Sequence, residues 1–327
     1  MAEDEDSLLH WLRRLLAAQP GAGELLGDDA AKIALRADYA ITMDSQIEGV
    51  HFFPDLPPEF LAERSLAVNL SDLAAMGARP RYAFLSLTAP PGFDRRAFFR
   101  AFVRACRRFD LVLAGGDLSR ANHVQVVLTL LGERQGRFLE RSGASPGDLI
   151  YLGGEIGLAA LGLRLLTAGA RPRGRRISLP DSLEKRFHAL ARRAVWRHLL
   201  PFPQLALGEI LAREKTRGAA LDVSDGLAKD LHRLCRESGV GAQIEAEALP
   251  FSSAARRLAA RLGENWLELA LGGGEDYVLL FTLPEGENPP PEALAIGRIL
   301  KKGRRISLAE NGRRRPLPPL GFDHLTK

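Results

Sequence analysis

The first apolar pattern along the chain is helical. Leu8, Leu9, Trp11, Leu12, Leu15 and Leu16 recur at helical spacing behind an acidic start and predict a short amphipathic helix that ends across Gln19–Gly23. Leu26-Gly27-Asp28-Asp29-Ala30-Ala31 reads as a turn, and Tyr39 to Met43 as a strand running into Asp44. A second helical pattern covers Glu59 to Met76 and is stopped by Gly77 and Pro80. Tyr82 to Ala89 and Val124 to Leu131 read as strands. Arg95 to Phe109 reads as a helix with Phe98, Phe102 and Cys106 at steps of four. Leu111 to Ala114 is a short buried strand closing on Gly115-Gly116-Asp117. Helices between strands make this first half α/β.

Gly, Pro and Asp in Ser142 to Asp148 mark a break, and the boundary is drawn there, giving domains 1–140 and 141–327. Beyond it, Leu149 to Leu152 predicts a strand and Gly154 to Leu166 a helix, while residues 170–182 read as an exposed loop. Helices are predicted over Leu183 to Leu199, Leu205 to Glu214, Leu227 to Ser238 and Phe251 to Leu262. Strands are predicted at Ala219 to Val223, which ends on Ser224-Asp225-Gly226, at Gln243 to Ala246, and at Tyr277 to Phe281 after Leu269 to Gly274. Two short strand-like pieces and a polar turn at Glu310-Asn311-Gly312 close the chain, and no repeat period is visible.

At 327 residues the chain is long enough for two domains with their own cores. Two cysteines, Cys106 and Cys235, exclude a disulfide scaffold, and neither stands in a CxxC pair. The formal charge of +5 does not by itself imply nucleic acid, and no nucleic-acid partner is expected. Its basic clusters, Arg171 to Arg176 and Lys301 to Arg315, carry Gly or Pro and read as solvated loops or an edge hairpin, with anion steering as the alternative. The MAEDEDS start is wrong for a signal peptide, and no apolar run reaches the roughly 18 residues of a membrane span. The expectation is therefore a cytoplasmic protein with no membrane partner.

The informative chemistry is a set of carboxylates at turns marked by Gly or Ser: Asp28, Asp29, Asp44, Asp72, Asp117, Asp222 and Asp225, with Glu275 and Asp276 beside them. Several follow a predicted strand, and ligands of α/β folds bind beyond the carboxyl ends of strands. Each, taken singly, also reads as a turn former or helix cap. Asp72 resists that reading, because apolar residues flank it inside a helical run. Carboxylates without His or Cys partners suit Mg²⁺, and many acids in one cleft repel unless metal ions neutralise them. The seven histidines are dispersed, which disfavours zinc or iron. The P-loop pattern and the protein-kinase HRD–DFG set are both absent. Gly153-Gly154-Glu155-Ile156-Gly157 fails GxGxxG, and tight helix–strand packing explains its glycines better.

A set of strings then carries a family resemblance. These are Gly27-Asp28-Asp29, Thr42-Met43-Asp44, Gly49-Val50-His51-Phe52 and Asn69-Leu70-Ser71-Asp72-Leu73-Ala74-Ala75-Met76-Gly77. Gly115-Gly116-Asp117, Arg141-Ser142-Gly143-Ala144 and Pro146-Gly147-Asp148 follow. Asp222-Val223-Ser224-Asp225-Gly226-Leu227, Gly272-Gly273-Gly274-Glu275-Asp276-Tyr277 and Gly321-Phe322-Asp323-His324 complete them. In this order they cover almost the whole chain, which resembles the thiamine-monophosphate kinase family. That family belongs to the superfamily of aminoimidazole ribonucleotide synthetase, selenophosphate synthetase and the hydrogenase-maturation dehydratase. NLSDLAAMGA together with GGGEDY is the strong part, and GVHF with GFDH favours the thiamine branch.

The resemblance implies a two-domain α/β fold of the aminoimidazole ribonucleotide synthetase type. In it the N-terminal domain binds ATP and Mg²⁺ and lends strands to a barrel shared across a homodimer, and the C-terminal α/β domain closes over the cleft. It implies ATP-dependent phosphorylation of thiamine monophosphate to thiamine diphosphate, with several Mg²⁺ ions. Asp29, Thr42, Met43, Asp44, Asp72, Asp117, Asp222 and Asp225 match its metal positions, with Asp44, Asp72, Asp117 and Asp222 closest to the chemistry. Gly116, Asp117, Arg141, Ser224 and Phe109 match nucleotide contacts, and His51, Glu275 and Phe322 match contacts to thiamine monophosphate. Two departures stand out. Met43 replaces a frequent Thr and would have to use its backbone oxygen toward a metal. Phe109 replaces a frequent Tyr and keeps stacking without the hydroxyl. His51 also reads as a structural histidine, and Phe322 as a core aromatic. The alternative function is another ATP-dependent enzyme of the superfamily acting on an amide, ribonucleotide or selenide acceptor. A non-catalytic metal or nucleotide binder is the remaining contrast.

Overall fold

The computed structural model describes residues 5–16, 30–174, 176–215, 217–301, 305–323 and 325. The Gln19–Gly23 helix stop, the Gly27-Asp28-Asp29 turn with Asp29, and His324 lie outside them. The chain divides into two compact units, Met1–Leu73 with Ala78–Arg134, and Ala74–Gly77 with Gln135–Lys327.

The first unit contains α1 (Glu5–Leu16), β1 (Tyr39–Ile47), α2 (Pro58–Ala75, up to Leu73), β2 (Ala78–Thr88), α3 (Arg95–Arg108), β3 (Val112–Ser119) and β4 (Gln125–Arg134). Its four strands form one sheet in the order β1-β4-β2-β3. β4 runs antiparallel to both β1 and β2, while β3 runs parallel to β2. The sheet is open and has two edges. This corrects the expected barrel: among the described residues there is no closed barrel, and four strands with β1 and β3 at the edges do not close on themselves. α3 starts where Asp94 Oδ1 accepts from Ala97 N–H at 2.8 Å, and it buries Phe98, Phe102 and Cys106. Phe98 and Phe102 stack with ring centroids 6.1 Å apart, as their four-residue spacing requires. α2 is buried almost all round. Its polar residues are therefore paired internally: Arg64 Nε donates to Gln46 Oε1 at 3.0 Å and Ser65 Oγ to Leu61 O at 2.7 Å.

Several strands are longer than their hydrophobic patterns predict, and the extensions of β1 and β3 matter. β1 does not end before Asp44 but continues to Ile47, because β4 pairs with it residue by residue from Tyr39↔Glu133 to Ile47↔Gln125. β3 does not close on Gly115-Gly116-Asp117 but runs through them, with Leu85↔Gly116 and Ser86↔Asp117 as partners on β2. Gly116 is needed there, since an added Cβ would stand 1.9 Å from the Leu85 carbonyl oxygen.

The second unit contains β5 (Leu149–Leu152), α4 (Leu158–Thr167), β6 (Arg171–Arg173), β7 (Arg176–Ser178), α5 (His188–Leu199), α6 (Leu205–Glu214) and β8 (Ala220–Asp222). It continues with α7 (Leu227–Ser238), β9 (Gly241–Glu245), α8 (Ser253–Arg261), α9 (Trp266–Gly272), β10 (Leu279–Leu283), β11 (Leu294–Leu300), β12 (Ser307–Glu310) and β13 (Arg313–Pro316). Seven of these strands form a sheet in the order β13-β12-β9-β11-β5-β10-β8. Its pairings are antiparallel except β12 with β9. Tyr151 and Phe281 stack across β5 and β10 at 5.5 Å and join Leu207 and Leu211 of α6 in one core. The Arg-rich stretch expected as a loop or edge hairpin is the β6–β7 hairpin. The tail holds three strands instead of two. β12 and β13 turn at Asn311 (φ 49°) and Gly312 (φ 74°), the positive-φ pair of a tight hairpin.

Candidate active site

In the first unit the carboxylates gather between β1 and α2. Asp44 lies on an edge strand, where N–H groups not facing β4 need other acceptors. Asn69 of α2 supplies one: its Oδ1 accepts from Asp44 N–H at 3.1 Å, while its Nδ2 donates to Ser65 O at 2.9 Å. One turn along α2, Asp72 Oδ2 accepts from Thr42 Oγ1 at 2.5 Å. Thr42 and Asp44 alternate with Met43, so all three side chains cannot share a face. Met43 is 66% exposed, away from the face turned to α2. Only its main-chain oxygen is left for a metal on the Asp72 side. Thr42, Asp44 and Asp72 thus form a set of hard oxygen donors, which fits Mg²⁺ chemistry.

Asp117 is not part of that group. Asp44 shares a cross-strand row with Leu128, Leu85 and Gly116, whereas Asp117 shares the next row with Ser86, Val127 and Ser45. Adjacent rows point to opposite faces, and two strands separate the edges, roughly 14 Å at ordinary strand spacing. Asp117 is exposed and accepts from Ser119 Oγ at 2.8 Å. Phe109 caps the end of α3, half-buried, with the Arg108 guanidinium 5.7 Å from its ring centroid.

His51 is half-buried in the tight turn after β1. Its Nδ1 accepts from Ile47 N–H at 3.1 Å, so the neutral ring carries its proton on Nε2.

In the second unit the sites cluster at the end of β8. Asp222 is buried at its last position. Ser224 O accepts from Glu275 N–H at 2.7 Å. Asp225 is held differently: its Oδ2 receives Arg233 at 2.6 Å and Lys229 at 3.1 Å. Its charge is matched by two cations of its own unit. Phe322 N–H donates to Asp225 O at 2.9 Å, and Lys229 Nζ donates to Phe322 O. This fixes the terminal segment by its main chain, and Phe322 as a residue is 36% exposed. Glu275 adopts φ 63° and Tyr277 φ 51°, a region costly for L side chains. Arg141 is exposed, and its carbonyl accepts from Ser238 Oγ at 3.0 Å.

Supporting residues escaped the sequence reading. Asn69 and Asp276 sit inside quoted motifs, but only their partners reveal what they do. Asp276 is buried, and its carboxylate accepts from Gly157 N–H at 2.5 Å and Ala159 N–H at 3.1 Å at the start of α4. Burial raises its pKa to about 6 against the two N–H groups that lower it. Asp230, which accepts from Asp225 and Gly226 N–H at 3.1 and 3.2 Å, is likewise raised to about 6 by burial. Buried thiols are inert: burial pushes Cys235 up to about 12 and Cys106 higher still. Among the described residues, no three His, Cys, Asp or Glu side chains converge in a ready-made metal cluster, and no helix is long and apolar enough to cross a membrane.

The family described as AIR synthase related protein, N-terminal domain, matches residues 27–133. The chain is similar to the thiamine-monophosphate kinase of Salmonella typhimurium, at 38% identity over 266 residues, 80% of this chain and 76% of that one. It is also similar to the enzyme of Aquifex aeolicus, at 33% over 281 residues, 84% of this chain and 86% of the relative. Among solved structures, "AaThiL complexed with AMPPCP and TMP" has a TM-score of 0.76 at 30% identity, covering 98% of this chain and 97% of that one. The thiamine-monophosphate kinase from Stenotrophomonas maltophilia K279a has a TM-score of 0.77 at 33% identity, covering 96% and 98%.

Proposed function

The chain belongs to the thiamine-monophosphate kinase family, and from that membership we propose how its residues carry the reaction. It phosphorylates thiamine monophosphate with ATP, giving thiamine diphosphate and ADP. The observation that carries this is the likeness, over 98% of the chain, to a solved relative described as holding AMPPCP and TMP.

The acceptor is a phosphate monoester with a second pKa of about 6, so near neutral pH it is already mostly a dianion. No general base is required. This agrees with His51, whose Nδ1 is occupied by Ile47 N–H. Thr42, Asp44 and Asp72 form the core of the metal site. Asp29, Met43 through its main-chain oxygen, Asp117, Asp222 and Asp225 match further metal positions that the family implies, Asp117 standing apart from this core on the opposite face of the sheet. Magnesium held there would supply positive charge to screen the two phosphates from each other. The aspartates hold and do not attack, so transfer is direct, without a phosphoenzyme. Gly116 and Asp117, with Arg141, Ser224 and Phe109, hold the nucleotide. His51, Glu275 and Phe322 hold thiamine monophosphate. The active species is a homodimer, supported by exposed Ile41 and Met43 on β1 of the open sheet.

The test is an acceptor panel with ATP and Mg²⁺, following thiamine diphosphate and ADP together. Equimolar formation of both from thiamine monophosphate is expected. Turnover with an amide, ribonucleotide or selenide acceptor and none with thiamine monophosphate would overturn the reading in favour of another branch of the superfamily.

A further inference from the structure

The main chain around Glu275 is fixed from several directions. Gly274, Glu275 and Tyr277 have φ of 65°, 63° and 51°. Glu275 N–H donates to Ser224 O at 2.7 Å and Tyr277 N–H to Val223 O at 2.8 Å, which ties the turn to the end of β8. Between them, the Asp276 carboxylate is anchored on the N–H groups of Gly157 and Ala159. Gly274 admits no side chain, since an added Cβ would stand 2.7 Å from Ser224 O. A left-handed turn at two non-glycine residues persists only where surrounding contacts over-determine it. The turn therefore delivers the Glu275 Cβ in one direction and leaves only the side-chain torsions to be set.

Tyr277 and His198 each reach one oxygen of the carboxylate. Tyr277 OH lies 3.4 Å from Oε1. His198 Nδ1, on the last turn of α5, lies 3.5 Å from Oε2. His198 is only 6% exposed, and its Nδ1 is buried, so the ring cannot swing into solvent. The Glu275 side chain is more open than that of His198, at 25% against 8%, and so keeps an accessible edge. The 3.5 Å separation is an ion-pair distance, longer than a hydrogen bond, and contacts of this kind shorten when a substrate completes a site.

We propose that His198 is a positioning residue for thiamine monophosphate: through Nδ1 it holds the Glu275 carboxylate, with Tyr277 on the other oxygen, in the rotamer that accepts the substrate's ring and amino hydrogens. The inference rests on the reading of Glu275 as a substrate contact given above. His198 touches no substrate itself. Its effect is specificity, because a carboxylate free to rotate loses its aim at a donor-bearing ring while the nucleotide contacts remain. A histidine that merely filled space between elements would alter stability and leave substrate affinities alone.

Asn places its amide nitrogen close to the position of Nδ1, whereas Leu offers no donor and Gln places its amide near Nε2. His198→Leu should raise the KM for thiamine monophosphate about tenfold, the size expected for one hydrogen bond to a charged group, with the ATP KM within about twofold. His198→Asn should restore most of the loss, and His198→Gln should not. If the Leu variant does not fold, the Asn and Gln pair carries the comparison, with melting temperature measured on both. Equal KM values in the Asn and Gln variants, or ATP and thiamine monophosphate KM values rising in step, would overturn the proposal. Glu275→Gln is measured alongside. If it leaves the thiamine monophosphate KM unchanged, the substrate role of Glu275 is lost. If it raises that KM while His198→Leu does not, only the positioning role is lost.

Discussion

Replacing Asp276 by Asn changes one buried charge and almost no volume. The carboxylate is 3% exposed and takes one N–H on each oxygen, Gly157 on Oδ2 and Ala159 on Oδ1. An amide has one acceptor oxygen, so one of the two donors is left unpaired, at about 1–3 kcal/mol. Against this stands the cost of burying the charge. Burial raises the pKa from 3.8 to about 6, and at 1.36 kcal/mol per unit this amounts to about 3 kcal/mol at neutral pH. A carboxyl with a raised folded-state pKa binds its proton more tightly in the native state. Its contribution is therefore fully present below about pH 4 and is lost as pH rises through about 6. Asn does not titrate. The stability gap between wild type and Asp276→Asn should thus be largest near pH 4 and shrink by about 3 kcal/mol near pH 8, bringing the two proteins close. Asp230, raised to about 6 in both, cancels from the difference. Urea unfolding of both proteins at the two pH values measures it. A gap that stays constant, or widens toward neutral pH, would show that the N–H groups of α4 outweigh burial and refute the reasoning.

Asp72→Asn should fold normally, because an amide oxygen still accepts from Thr42 Oγ1, yet lose at least about a hundredfold in kcat and need more Mg²⁺; wild-type turnover at limiting Mg²⁺ would remove Asp72 from the site. Phe322→Ala should raise the KM for thiamine monophosphate about tenfold or more, on the scale of one lost base–aromatic contact, with the ATP KM little changed. Its melting temperature should hardly move, since the segment is held by the main-chain bonds to Asp225 and Lys229; a destabilised protein with normal KM values would make Phe322 a core residue. Sedimentation at micromolar concentration should show a dimer, and a monomer that retains full activity would defeat the homodimer proposal.

Local pattern alone determined much of this protein. The bounds of α6, α7 and β5 match those read from apolar spacing and turn residues, because such elements are set by short-range periodicity and by Gly or Pro at their ends. The order of the motif strings pointed to the family that the relatives then showed. What the chain alone did not disclose depends on partners distant in sequence. β1 and β3 run through Asp44 and Gly116 because β4 and β2 offer ladder partners there, Leu128 and Leu85, and no local signal reports partners that distant in the chain. The barrel implied by the resemblance gave way to an open sheet for the same reason, as closure is a property of strand pairing. Register, too, put Asp44 and Asp117 on different faces. Asn69, Asp276 and His198 owe their roles to what folding brings against them: a strand edge, a helix N-terminus, and a carboxylate held by a strained turn. A polar residue acquires such a role only once burial removes water as its partner, and burial is decided by the tertiary structure.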